Sequence, residues 1–205
     1  MTYTPRTENV LAVYRGASAD AIREGLSWYM DAHNFARTVG GRRPEHVARN
    51  AGIIAALSPM NGWENNKRKA AEFISRRGRI EFTVNGNGIG LGANVRKAMA
   101  IYSGADPLDI LKGDKVRAFY ATILDPTGDI DPVIDRHAFD IAVGMRTNDK
   151  SRGILSNKGV YSKFANVYRE AANEVGIGSA QMQAVTWIAW REMHGISAYW
   201  ECCGG

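Results

Sequence analysis

Two short segments carry the side chains best suited to chemistry. In Leu111-Lys112-Gly113-Asp114-Lys115-Val116-Arg117 a glycine lies between two lysines and an arginine follows. In Pro132-Val133-Ile134-Asp135-Arg136-His137 a lone carboxylate follows an apolar run, eighteen residues beyond Arg117. A carboxylate held beside a reacting carbon stabilises developing positive charge and orients water. The same residue type at the end of an extended run is also a natural helix N-cap, and Asp135 can serve both roles. Arg117 is always protonated, so it cannot form an imine as an amine nucleophile does. It can contact a phosphate or a carboxylate, or simply pair structurally. His137 reads as a packed histidine rather than a base.

The charge balance points to the class of partner. Lys and Arg number 26 against 21 Asp and Glu, giving a net charge of +5. The positives cluster in Arg42-Arg43, Lys67-Arg68-Lys69 and Arg76-Arg77-Gly78-Arg79. Such runs neutralise phosphates and release counterions if they form one patch, or they are solvated helix faces. Cys202 and Cys203 are adjacent in a Gly-terminated tail, where mutual disulfide geometry is unfavourable. With no further cysteines and no His pair at i, i+4, no structural metal is expected. No run of eighteen apolar residues is present and Met1–Val10 lacks a signal-peptide core. The reading is a cytoplasmic protein with no membrane partner.

These segments need elements to position them, and the hydrophobic spacing is helical throughout. Ile22, Leu26, Tyr29, Met30 and Phe35 predict a long helix over 17–39, with Ser18 and Asp20 as start signals. Pro44 opens a second helix to Leu57, and Trp63 to Ser75 forms a third, with a brief extension over Arg79 to Val84. The turn Gly86–Gly92 matches neither dinucleotide nor P-loop patterns and reads as a helix connector. Further helices are predicted over 93–102, 107–111, 115–124, 135–143, 161–174 and 179–193, with 146–158 as a polar loop. The stripe Val185, Trp187, Ile188 and Trp190 reads as core. Trp63, at a loop-to-helix start, is the better base-stacking candidate. Strand content is minimal, so the fold class is all-α.

The two chemistry-bearing segments together resemble the helix-hairpin-helix DNA glycosylase superfamily (HhH-GPD), which contains the endonuclease III and adenine-glycosylase families. There a hairpin LPGxGxKTA precedes a VDTHxxR-like sequence. Here Gly113 falls on the first hairpin glycine, Arg117 on the lysine that forms the Schiff base in bifunctional members, and Asp135-Arg136-His137 on Asp-Thr-His. The eighteen-residue interval is the family's own. Upstream, Ala56-Leu57-Ser58-Pro59-Met60, then Asn61, Trp63 and Asn65-Asn66-Lys67, resembles the helix end LLSAQ and its downstream Asn. Met60 stands where a Gln fills the gap left by an extruded base. The resemblance covers about Ile53 to Val143.

It implies one domain over 1–205 with two helical lobes around a cleft, the hairpin at about 107–124, the aspartate segment at 133–143 and closing helices at about 160–194. It also implies a hairpin that binds one phosphate of double-stranded DNA through backbone N–H groups, with Lys112, Gly113, Lys115 and Arg136 as contacts beside Met60, Asn61, Trp63 and Lys67. Lys115 replaces the second hairpin glycine, so it distorts the cradle or grips the phosphate by charge; an ordinary helix-turn-helix connection is the plainer reading. Asp135 and Arg117 are the implied catalytic residues. No cofactor is implied beyond a monovalent cation at the hairpin, no iron-sulfur cluster is expected, and the protein is read as a monomer. The implied activity is a monofunctional hydrolase that flips a base out and cuts its glycosidic bond. Two alternatives remain: a phage-type DNA-modification transferase acting on hypermodified thymine, in which case the compartment is the host cytoplasm, or a DNA-binding module that has lost the chemistry.

Overall fold

A computed structural model describes residues 3–41, 43–59, 61–79 and 92–196. All regular structure in these residues is helical: α1 (Thr7–Arg15), α2 (Ala19–Thr38), α3 (Pro44–Leu57), α4 (Trp63–Ser75), α5 (Gly92–Tyr102), α6 (Pro107–Ile110), α7 (Asp114–Leu124), α8 (Arg136–Val143), α9 (Asp149–Arg152), a 3-10 turn over Gly153–Ser156, α10 (Val160–Val175) and α11 (Ser179–Met193). The fold class is therefore all-α. Among the described residues no helix is long and apolar enough to cross a membrane.

The chain divides into two compact units. One is built from the residues up to Met30 together with Asp125–Ile196, and the other from Asp31–Leu124. The first unit is thus discontinuous in sequence, and α2 contributes a part to each.

In the second unit α3 is the hub, packing against α4, α5, α6 and α7. Its sequence explains this: from Asn50 to Leu57 every residue is buried, and a helix apolar on all sides is stable only when surrounded. Pro107, at the first position of α6, packs on Gly52 so closely that an added Cβ would lie 2.9 Å from the ring.

In the first unit α10 shows the amphipathic pattern, burying Tyr161, Phe164, Ala165, Tyr168, Ala171 and Ala172 at i, i+3, i+4 spacing. Its Phe164 stacks on Phe139 of α8 with centroids 4.6 Å apart. Val185, Ile188 and Trp190 of α11 are buried, as a core stripe should be. Trp187 is half-buried, with the Arg191 guanidinium 4.3 Å above its ring. Gly25 meets Val185 so tightly that a Cβ would lie 2.4 Å from backbone, which makes glycine obligatory there.

Two elements depart from the sequence reading. The stretch 146–158 is not a plain loop but contains α9 and the 3-10 turn, because Asn148 caps it by accepting from Ser151 N at 2.9 Å. Helix α1 was not signalled: it is short and polar, and it buries only Val10, Leu11 and Val13. All of the expected Gly86–Gly92 connector except Gly92, which opens α5, lies outside the described residues, as do most of the Arg79–Val84 extension and the cysteine pair.

Candidate functional site

Asp135 sits at the end of a strap that the first unit fixes residue by residue. Ser179 Oγ donates to the Ile130 carbonyl at 2.7 Å. Arg169 pairs with Asp131. The Tyr161 hydroxyl donates to Pro132 O at 3.1 Å and accepts from Ile134 N at 3.0 Å, while Val133 and Ile134 are buried. This extended run can join neither helix nor sheet, so its buried polar groups take partners from side chains distant in sequence.

Asp135 then caps α8, its Oδ1 accepting from Ala138 N at 2.8 Å. Among the described residues its other carboxylate oxygen makes no hydrogen bond. The carboxylate is half-buried at the N-terminus of α8. One helical turn on, the fully buried Tyr168 hydroxyl donates to Ala138 O at 2.9 Å. Burial raises the Tyr168 pKa well above the ordinary tyrosine value, and the negative charge of Asp135 adds to the effect. Tyr168 is therefore a permanent neutral donor. Tyr161 and Tyr168, seven residues apart on one face of α10, between them fix the approach to Asp135 and the start of its helix.

Arg136 is exposed and its Nε donates to His137 Nε2 at 3.2 Å. His137 is buried, its ring 6.5 Å from Trp187, which fits the packed histidine. The sequence reading passed over Asp140. It is buried, its Oδ1 accepts from Thr147 Oγ1 at 2.5 Å and Thr147 N at 3.2 Å, and Arg152 Nε approaches to 3.4 Å. A carboxylate inside the apolar run Ala138–Val143 was the available signal, since a buried charge demands partners.

The hairpin residues gather in the second unit. Asp106 caps α6 by accepting from Leu108 N at 2.8 Å, Leu111 is fully buried, and Gly113 turns the chain into α7 with φ +82. Nothing lies within 4 Å of where a Gly113 Cβ would be, and Lys112, Gly113 and Lys115 are exposed. Arg117, itself exposed, spans the turn: Nε donates to Leu111 O at 2.9 Å and Nη2 to Leu108 O at 2.7 Å.

The α3–α4 corner lies in the same unit. Asn61 is its centre: Nδ2 donates to Leu57 O at 2.7 Å, and Oδ1 accepts from Asn65 Nδ2 at 2.8 Å and Lys69 Nζ at 2.7 Å. Trp63 is half-buried, edge-on to Phe35 and to Phe119 of α7, with centroids 6.1 and 6.3 Å away. The corner is thus brought against the hairpin's second helix. Lys67 pairs with Glu64 at 2.8 Å and lies 5.6 Å over the Trp63 ring. Met60 lies outside the described residues. Among the described residues no group of three or more His, Cys, Asp or Glu side chains is arranged to hold a metal.

Comparison with curated proteins and with solved structures finds no match. A family model described as "Family of unknown function (DUF7178)" matches residues 1–194, and the chain belongs to that family.

Proposed function

We propose that this chain is a DNA-binding protein of the helix-hairpin-helix glycosylase type, which extrudes a base and hydrolyses its N-glycosidic bond without a lyase step. The C1′–N bond breaks, water adds its oxygen to C1′, and the water proton leaves with the departing base. Asp135 stabilises the oxocarbenium-like transition state and orients the water. The observation that carries this reading is the mounting of Asp135. One oxygen is committed to the α8 cap and the other is uncommitted among the described residues, on a strap held by Ser179, Arg169 and Tyr161. Such fixation of a charged group before the reaction is what electrostatic catalysis needs.

The DNA-binding half of the proposal draws on the hairpin. An exposed glycine at positive φ with open space around it lets a phosphate approach the backbone, and Lys112 and Lys115 add charge without reading bases. Arg117 holds the turn closed by hydrogen-bonding Leu108 and Leu111. It supplies no imine chemistry.

Mass spectrometry of free bases and nucleosides after incubation with DNA from host and phage sources tests the proposal. Release of a free base with a matching abasic site is expected. An intact nucleoside of altered mass would replace hydrolysis with group transfer, and binding without either product would leave a DNA-binding module.

A further inference from the structure

The end of α4 is a Schellman closure with an unusual residue in it. Gly78 N bonds Phe73 O and Arg77 N bonds Ile74 O, both at 3.0 Å, which is the paired pattern of that motif. The residue after the C-cap Arg76 is ordinarily glycine because it must take the left-handed conformation. Here it is Arg77, at φ 54, the one non-glycine residue at positive φ among the described residues. An L side chain at this position costs stability that glycine avoids. Neither an ion pair nor a side-chain hydrogen bond of Arg77 is found among the described residues, and its side chain is exposed.

The surroundings are strongly basic. Arg79 is exposed two residues on. Arg76 and Arg68 share the single carboxylate of Glu72, at 2.9 and 3.6 Å. Gly78 lies against the Tyr102 ring, 3.1 Å from Cδ1 to its ideal Cβ position, and the Arg49 guanidinium stands 5.0 Å over that same ring. Five arginines thus border one turn with one glutamate among them.

We infer that the Arg76–Arg79 turn, with Arg49, is a second phosphate-binding surface for duplex DNA, separate in sequence from the hairpin, and that Arg77 is kept in a strained cap for its charge. This rests on the DNA-binding reading, and not on the glycosylase chemistry. Arg77 and Arg79 are the exposed guanidiniums of this surface with no ion pair found among the described residues, whereas Arg76 is shared with Glu72 and Arg49 is half-buried beside Asn50 and Tyr102; each guanidinium that meets a phosphate steepens the salt dependence of binding.

The test is fluorescence anisotropy of the full chain with an unmodified DNA duplex over a series of salt concentrations, together with thermal melting. Arg77→Gly is expected to raise Tm by about 2–4 °C while lowering the slope of log affinity against log salt by about one. Arg77→Lys keeps the slope, and Lys163→Ala, removing an exposed charge on α10, leaves it unchanged. An unchanged slope in Arg77→Gly, or an equal loss in Lys163→Ala, would overturn the surface while leaving hairpin-mediated binding intact. A lower Tm in Arg77→Gly would overturn the strained-cap argument. Failure of the unaltered chain to bind duplex DNA at low salt would remove both this surface and the DNA-binding reading.

Discussion

The strap before Asp135 and the turn before α7 each lead the chain into a helix, and they are held by opposite means. The strap takes its partners from 38 to 49 residues away at Arg169 and Ser179, and from Tyr161 at 27 and 29 residues. The hairpin is held locally, by Asp106 two residues from its partner and Arg117 six and nine residues from its own. One arrangement immobilises a carboxylate inside a packed unit. The other leaves Lys112, Gly113 and Lys115 exposed, with open space where a Gly113 Cβ would stand. A group that must meet a transition state needs the first kind of support, whereas backbone that must receive a phosphate needs the second.

The comparison breaks most readily at Asp140, which anchors the far half of α8 to α9. Asp140→Ala removes a buried carboxylate from Arg152 and Thr147, and is expected to destabilise the fold by about 3–5 kcal/mol, read as a lower urea midpoint. A change near zero would mean that the 146–158 segment does not depend on this network.

Tyr161→Phe sharpens it. The ring stays and the hydroxyl goes, leaving Ile134 N and Pro132 O without their partner, at about 1–3 kcal/mol. Turnover is expected to fall while affinity for duplex DNA holds, since the strap serves Asp135 and not the hairpin. Loss of DNA affinity with turnover intact would invert the assignment.

Gly113→Ala is the smaller, converse change. Open space around the Cβ leaves only the backbone cost of φ +82, about 1 kcal/mol. DNA affinity is expected to weaken, whereas an unaltered affinity would remove the hairpin backbone from the contact surface.

Much of the fold was legible because helices announce themselves locally. Pro44, Trp63 and Ser179 mark starts where the structure has them, and Leu57, Ser75 and Met193 mark ends. Helix α1 escaped because nine polar-rich residues burying three side chains give little periodicity. Arg117 and Asp135 were legible as residues of interest, but not their partners: no periodicity connects Arg117 to Leu108 O nine residues back, or Tyr161 to Pro132 O 29 residues back. Asp140 was missed because its ligands, Thr147 and Arg152, lie in a segment read as loop. Side-chain to backbone bonds across tens of residues leave no periodic trace, and these bonds are what mount the carboxylate.

The central claim, that Asp135 is the catalytic carboxylate and more than a cap, is tested most directly by Asp135→Asn with initial rates and melting measured on the same preparation. Asparagine caps a helix nearly as well as aspartate, so Tm and DNA affinity should hold. Loss of the charge should lower turnover by about 100- to 1000-fold. An Asp135→Asn protein with unchanged rate and unchanged Tm would contradict the account and leave Asp135 as the N-cap of α8.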